Sequence, residues 1–281
     1  MNIGIFNFWF DIKKITEDGI CKFISDMSKA KRICFSRTHK RALWRSNDGT
    51  IMLTVPFYDS IGILLRDKTG ITLRKSNNGN YYQRLSDEEV QKVEKFIQEY
   101  GDIVFLRDLL DVSIALSLNF DSEGKEYTPI GLLEKNAKYD GCEEAVAQLA
   151  TIVDDFISNN AVYRDADYIC AMPSSNREEA NLPYKIVNRL QLFNGKNVSN
   201  LVSWSSKTES LKNADGADKL EILKNSGFEI SAEANLNGKN IILLDDLYMS
   251  GTTLHFVAMK LKNAGANNVY GLSVVKSFGN N

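Results

Sequence analysis

The segment that most restricts the possible folds of this chain is the apolar run Ile-Ile-Leu-Leu at residues 241–244, followed at once by two acids and a short turn. Four consecutive apolar residues are typical of a strand buried on both faces of a parallel sheet. Apolar residues then recur at helical spacing over residues 253–261, and Gly265 is placed to end that helix. Residues 268–275 predict the next strand, so the segment predicts one right-handed strand–helix–strand unit.

The turn between this strand and helix has the composition of an anion-binding loop. Its backbone N–H groups can surround one anion, and the positive end of the helix dipole adds to the field. The predicted 5-phosphate-binding residues are Tyr248, Met249, Ser250, Gly251, Thr252 and Thr253. Asp245 and Asp246 cannot bind phosphate themselves, so we expect them to accept hydrogen bonds from the 2- and 3-hydroxyls of a ribose whose 5-phosphate occupies the loop.

The run Asp-Asp-Leu-Tyr-Met-Ser-Gly-Thr-Thr at residues 245–253 resembles the signature of the type I phosphoribosyltransferases, with Met249 in place of the first hydroxyl residue. A Pro-Ser-Ser turn after the apolar strand at 168–172 and the Lys138-Tyr139 pair also resemble the ComF-like subgroup of that family. The resemblance covers about residues 125–276. The other interpretation is an ordinary strand-to-helix turn in a different doubly wound protein.

This resemblance implies an α/β fold with a central parallel sheet flanked by helices over residues 121–281, preceded by a smaller α+β N-terminal domain over residues 1–120. It implies Mg-dependent displacement at the anomeric carbon of phosphoribosyl pyrophosphate (PRPP) or of a nucleotide, with Asp245 and Asp246 as catalytic residues. The implied pyrophosphate-binding residues are Pro173, Ser174, Ser175 and Lys207. A solvated loop lysine is the favoured interpretation of Lys207, and the segment 207–219 lacks the arginines that usually contact substrate in the subgroup.

Further expectations concern the surroundings of this site. Residues 205–225 are interpreted as a mobile loop that closes over the substrate. His255, in the helix after the turn, is expected to face outward, with a catalytic role as the alternative. Lys276 and Phe278 either line the part of the site that selects the base or belong to the core or surface.

Composition excludes several classes of function. The formal net charge of −2 gives no overall attraction to nucleic acid or membrane. Residues 1–10 are apolar but too short to span a bilayer, and we interpret them as a first strand in a cytoplasmic protein. Four cysteines show no CxxC pairing and only two histidines accompany them, so no protein metal site is predicted and the thiols are expected to be buried and reduced.

The first 120 residues resemble no family that we recognise. Short strands are predicted at residues 51–57, 61–66 and 71–74, the last two as a hairpin around residues 67–70. Ser86 is placed to cap a helix that runs to about Tyr100, and a second helix is predicted at residues 105–118. The polar segment 121–125 is taken as the domain boundary.

A cationic stretch lies between Asp26 and Asp48, where no other acid occurs and where Phe35 and Trp44 interleave the cations. Its candidate nucleic-acid-binding residues are Lys29, Lys31, Arg32, Arg37, Lys40, Arg41 and Arg45. Such a pattern suits phosphate contacts and base stacking. A solvated basic helix face, or a patch paired with acids elsewhere, is the other interpretation.

Three functions fit the sequence. The first is a PRPP-dependent transferase acting on a base or nucleotide. The second is suggested by a resemblance to effectors of bacterial anti-phage systems, including retron-associated ones, which would degrade nucleotides under the control of a nucleic-acid-bearing partner. The third is a non-catalytic, ligand-sensing regulator. An oligomer is expected, and no membrane partner.

Overall fold

The computed structural model describes residues 14–26, 30–121, 123–174, 181–204 and 216–279. The helices in these ranges are α1 Glu17–Ser25, α2 Asp59–Thr69, α3 Asp87–Glu99, α4 Pro129–Tyr139, α5 Glu143–Asn159, α6 Ala161–Arg164, α7 Leu182–Val187, α8 Gly216–Asn225 and α9 Thr252–Asn263. The strands are β1 Arg32–Ile33, β2 Leu43–Arg45, β3 Ile51–Val55, β4 Arg74–Lys75, β5 Tyr81–Leu85, β6 Val104–Leu106, β7 Val112–Leu118, β8 Tyr168–Ala171, β9 Val202–Trp204, β10 Phe228–Ile230, β11 Asn240–Tyr248 and β12 Asn268–Lys276.

The main sheet has six strands in the order β1-β6-β7-β12-β11-β8. Strands β7, β12, β11 and β8 are mutually parallel, whereas β6 and β1 add an antiparallel edge. Along β11, Ile241 and Leu243 belong to one buried cluster and Ile242 and Leu244 to a second, so both faces of this strand are covered. Helix α7 packs on one face and α9 on the other. The predicted α/β fold with a central parallel sheet is confirmed.

The strand–helix–strand unit at the end of the chain forms as predicted, with β11 and β12 parallel on either side of α9. Gly265 follows the last helical cap residue with φ of +103°, which only glycine adopts without strain. The strand is longer than predicted, because β11 continues through both acids to Tyr248. Tyr248 is therefore a strand residue, and the turn is confined to residues 249–251.

The predicted boundary at residue 121 runs through the main sheet, because β1, β6 and β7 precede it and β7 pairs with β12, which follows it. A second, four-stranded antiparallel sheet, β2-β3-β5-β4, lies wholly within residues 43–85. Strands β9 and β10 form a separate antiparallel pair. The division of the chain into two domains stays a prediction.

Three elements predicted in the first 120 residues are wrong. The hairpin around residues 67–70 does not form, because Gly70 ends helix α2 and residues 71–73 are not in a strand. Residues 61–66 belong to helix α2 instead of a strand, because Ser60 to Leu65 are all buried and a continuous apolar run has no strand-specific period. Residues 105–118 form β6 and β7 instead of a helix, since all seven residues of β7 are buried beside β12. The strand at 51–55 and the Ser86-capped helix are confirmed, the latter with a complete capping box.

Other expectations are corrected or untested. The segment 205–225 is not one loop, since helix α8 occupies its second half. Residues 1–10, predicted as a strand, lie outside the described residues. Cys34 and Cys170 are buried as expected, but Cys21 is exposed.

Candidate functional site

The described residues of the predicted catalytic and phosphate-binding set lie at the carboxyl edge of the main sheet. Strands β8, β11 and β12 are parallel, so their carboxyl ends and the segments that follow them lie at the same edge. The Met172 N–H, just beyond β8, donates to the Leu244 carbonyl at 2.8 Å, which ties that end to β11. Tyr248 and Lys276 are paired where β11 and β12 end.

The two acids of β11 belong to a carboxylate cluster that helix α4 completes. Lys138 Nζ lies 2.8 Å from Asp246 Oδ2 and 3.5 Å from Glu134 Oε1, one helical turn earlier. The side chains of Asp246 and Glu134 are 16% and 7% exposed, so this ion pair is largely shielded from water. The Asp246 N–H donates to Asp245 Oδ1 at 2.9 Å.

The electrostatics of the cluster favour a ligand that donates hydrogen bonds. Burial raises the pKa of Asp245, and the charge of Asp246 raises it further. Burial also raises the pKa of Glu134, with Lys138 opposing. Burial by itself would lower the pKa of Lys138, but Asp246 and Glu134 bring it above its ordinary value. Three carboxyl groups thus share one cation, and a donor at Asp245 would relieve their repulsion.

The turn after β11 leads directly into the N-terminus of α9. Gly251 precedes α9 with φ of +78°, and Ser250 Oγ lies 2.9 Å from Thr252 Oγ1. The backbone N–H groups of residues 249–251 have no acceptor in the described part of the chain. Met249 is exposed, whereas Thr252 is buried and Thr253 half-buried. Unpaired N–H groups at a helix N-terminus are the usual features of a phosphate site.

A buried histidine and a buried aspartate lie next to each other behind this turn, which the sequence did not predict. His255 is fully buried, contrary to the expectation that it faces outward, and its Nε2 lies 3.6 Å from Asp108 Oδ2. This separation is slightly longer than a hydrogen bond. The His255 ring also packs edge-on against Phe23, and the His255 backbone N–H donates to the Gly251 carbonyl at 2.8 Å. Burial and the charge of Asp108 raise the pKa of Tyr248.

Gly251 leaves no room for a side chain. A Cβ there would overlap the Tyr248 hydroxyl and lie 3.0 Å from His255 Cε1. We expect Gly251→Ala to lower the free energy of unfolding by about 2–4 kcal/mol, since positive φ and crowding both oppose it. Urea denaturation measures the loss. We also expect inorganic phosphate to raise the melting temperature of the wild type but not that of this variant.

Gly238→Ala is the matched control, because Gly238 has φ of +70° but open space where a Cβ would lie. It should lose only about 1–2 kcal/mol and keep the response to phosphate. Equal losses in the two variants would contradict the role of the packing around Gly251.

The predicted pyrophosphate residues are only partly within the described residues. Pro173 and Ser174 follow β8 at the carboxyl edge and are half-buried. Trp204 Nε1 donates to the Pro173 carbonyl at 3.2 Å, which positions this turn. Ser175 and Lys207 lie outside the described residues.

Lys276 is a buried residue at the same edge, next to Tyr248. It is 2% exposed, and its Nζ donates to the Ser277 carbonyl at 2.8 Å. Burial, with the charge of Arg32 adding, lowers its pKa to about 7. Phe278 is half-buried, and its N–H donates to Asn119 Oδ1 at 2.8 Å. Lys276 is thus a core residue beside the turn.

The cationic stretch does not form one patch. Lys31 Nζ donates to the Phe23 carbonyl at 2.8 Å, and an Arg32 N–H donates to the Ser277 carbonyl at 3.1 Å. Both side chains therefore serve internal packing. Arg37, Lys40, Arg41 and Arg45 precede or form β2 rather than a helix, and Lys29 lies outside the described residues.

The described residues contain no group of three or more His, Cys, Asp or Glu side chains arranged to hold a metal ion. None of their helices has the length and apolar character needed to cross a membrane.

No family model and no curated protein matches the chain. One solved structure similar to it is a glutamic acid mutant at an invariant aspartic acid of HPRTs, with 9% sequence identity and a TM-score of 0.30. Another is a mutant hypoxanthine phosphoribosyltransferase from Trypanosoma cruzi in a ternary substrates complex, with 10% sequence identity and a TM-score of 0.30. A hypoxanthine-guanine phosphoribosyltransferase from Bacillus anthracis has 15% identity and a TM-score of 0.28. Each match covers 48% of this chain, and 66% of each of the first two structures and 68% of the third. Because TM-scores this low cannot assign a function, only the residues themselves can support one.

Proposed function

We propose that the carboxyl edge of the main sheet binds a 5-phosphoribosyl group and catalyses displacement at its anomeric carbon. The observation that carries the proposal is the continuity of β11, turn and α9. Asp245 and Asp246 end the strand, the turn with unpaired N–H groups follows, and both belong to one rigid unit. An acid pair for ribose hydroxyls thus stands beside an anion site for the 5-phosphate.

In this proposal the chain contributes positioning and charge. The bond from the anomeric carbon to diphosphate breaks, the diphosphate leaves with the electron pair, and a nitrogen of a base or an oxygen of water forms the new bond. Positive charge develops on the ribose, and the carboxylates of Asp245 and Asp246 stabilise it. Pro173 and Ser174, with Ser175 and Lys207, would contact the diphosphate.

The donor set at this edge suits Mg²⁺. That ion takes oxygen ligands and is commonly held by one or two carboxylates together with substrate phosphates and water. Asp245 and Asp246 supply such oxygens beside the proposed diphosphate position. When bound, the ion would neutralise charge on the leaving group. Lys138 meanwhile holds Asp246 in place and must share it with the ligand.

We expect purified protein with Mg²⁺ to release pyrophosphate from PRPP when incubated with a metabolite extract, and mass spectrometry should show a base consumed together with PRPP. Loss of nucleotides without added PRPP would instead identify a nucleotide-degrading enzyme, as in an anti-phage effector. No change in either would contradict enzymatic activity and favour a ligand-sensing regulator.

A further inference from the structure

The four-stranded antiparallel sheet has one face in the core and one open face. Leu53, Val55 and Leu85 belong to the main buried cluster, so these positions face inward. Side chains alternate between faces along a strand, and directly paired residues share a face. The intervening positions therefore form two rows across the open face. The first row is Trp44, Met52 and Arg84, and the second is Thr54, Tyr82 and Arg74. Met52 is itself buried, whereas Trp44 and Arg84 on either side of it are exposed.

Trp44 is the prominent aromatic group of this face. Trp44 is 47% exposed, although tryptophan is strongly buried on average. Its Nε1 donates to Thr54 Oγ1 at 3.0 Å, which links the two rows and holds the ring on the sheet. Tyr82 is half-buried in the second row. The face thus offers two aromatic side chains on a rigid support.

The charge around this face is strongly positive. Residues 37–58 and 70–86, which carry the sheet and its turns, contain seven lysines and arginines and a single acid, Asp48. The cations are Arg37, Lys40, Arg41, Arg45, Arg74, Lys75 and Arg84. Arg74 and Arg84 lie in the rows of the open face, whereas Arg45 and Lys75 lie in rows with the inward-facing Leu85 and Val55. Asp48 pairs with Arg84 at 3.0 Å, and both side chains are more than half exposed, so the pair contributes little and opens readily.

The sequence alone could not assemble this surface. Two cations of the predicted stretch, the half-buried Lys31 and Arg32, donate to backbone carbonyls of the chain itself. In their place, β4 and β5 bring Arg74, Lys75 and Arg84 into the same sheet as Trp44. The positive charge therefore combines four cations of the segment 29–45 with three from β4 and β5.

We propose that the open face of this sheet binds single-stranded nucleic acid. Bases stack on Trp44 and Tyr82, while Arg74 and Arg84, with the cations at the sheet margins, contact phosphates. Single-stranded nucleic acid fits better than a duplex because only unstacked bases expose faces to an aromatic side chain. Four-stranded antiparallel sheets with surface aromatics are used in this way to bind RNA.

Fluorescence anisotropy with labelled 20-nucleotide oligo(dT) and oligo(rU) over a salt series tests the proposal. Trp44→Ala should weaken binding by about 5- to 150-fold, the range for one lost stacked base, whereas Trp44→Phe should retain most of it. Arg74→Ala together with Arg84→Ala should weaken binding and reduce the salt slope by about 1.4.

Matched controls lie on other surfaces. Tyr127→Ala removes an aromatic residue that is 42% exposed, and Arg164→Ala removes an arginine whose side chain is 50% exposed; neither should change binding. Equal affinity for a blunt duplex of the same length or for phosphatidylserine vesicles, with no effect of Trp44→Ala, would overturn the proposal. Pyrophosphate release from PRPP should be unchanged in the sheet variants, so failure of one proposal is distinguishable from failure of the other.

Discussion

Asp246→Asn should lower kcat for pyrophosphate release from PRPP by about 100- to 1000-fold, with a smaller change in KM, because the lost charge acts most strongly on the cationic transition state. Asp245→Asn should have a similar effect. The loss of kcat in the double variant should be much smaller than the product of the two single losses, because residues that act as a unit are not additive. Steady-state kinetics of pyrophosphate release measures these changes, with circular dichroism to confirm the fold.

Asp165→Asn is the matched control for these variants. The side chain of Asp165 is 69% exposed. Asp165 lines a cavity with Asn240 and Asn268, the first residues of β11 and β12, at the edge of the sheet away from Asp245 and Asp246. Its kcat should equal that of the wild type. Full activity in both Asp245→Asn and Asp246→Asn would remove the acid pair from the mechanism.

The residual activity of Asp246→Asn should also depend on pH differently from the activity of the wild type. Burial raises the pKa of Asp245, and the adjacent Asp246 charge raises it further. Removing that charge lowers the pKa of Asp245, so the loss of activity at acidic pH should move to lower pH. A pH–rate profile that does not move, or moves upward, would contradict the coupling between the two acids.

His255→Ala should lower the free energy of unfolding by about 3–5 kcal/mol, because it leaves the Asp108 carboxylate buried without its partner. Asp108→Asn keeps an oxygen for the Leu110 N–H, which donates to Asp108 Oδ1 at 2.9 Å, and removes the charge. Urea denaturation of His255→Leu, Asp108→Asn and the double variant forms a double-mutant cycle. The double variant should lose less than the sum of the single losses.

His39→Ala is the control for this cycle. His39 is half-buried and its Nε2 lies 2.9 Å from the Thr54 carbonyl, so its loss should cost about 1 kcal/mol. Additive losses in the cycle, or a His255→Ala loss no larger than that of His39→Ala, would show that the Asp108–His255 pair contributes little.

Acid should weaken the fold through the same pair. Burial by itself would raise the pKa of Asp108, but His255 and the Leu110 N–H bring it below the ordinary value. A folded-state pKa below the unfolded one means that stability is complete above about pH 4 and is lost as pH falls through the folded value. The free energy of unfolding of Asp108→Asn should therefore fall less between pH 5 and 3 than that of the wild type.

Local patterns were sufficient where one short segment contains the whole signal. The apolar run before Asp245 and the helical spacing after Thr252 predicted β11, α9 and β12. The same reasoning failed for residues 61–66 and 105–118. Both segments are buried on all sides, and continuous burial removes the periodicity that separates strands from helices.

The site shows the same division. The acid pair and the turn were found because their residues are adjacent in the chain. Lys138 was recognised within a Lys-Tyr motif, and Glu134 lies four residues before it, but nothing in that spacing indicates that Lys138 reaches Asp246. Asp108 gave no signal, since an isolated aspartate after an apolar run resembles any loop residue.

The sequence by itself determined the strand–turn–helix unit and therefore the chemistry that it offers, because hydrophobic spacing, glycine conformation and helix capping act within a few residues. The tertiary structure alone decided which distant groups complete that unit. Sheet order and helix packing place Lys138 on Asp246, bury Asp108 with His255 beneath the turn, and bring Arg74 and Arg84 to the face that carries Trp44. These pairings depend on the three-dimensional contacts of segments far apart in the chain, which no local period encodes.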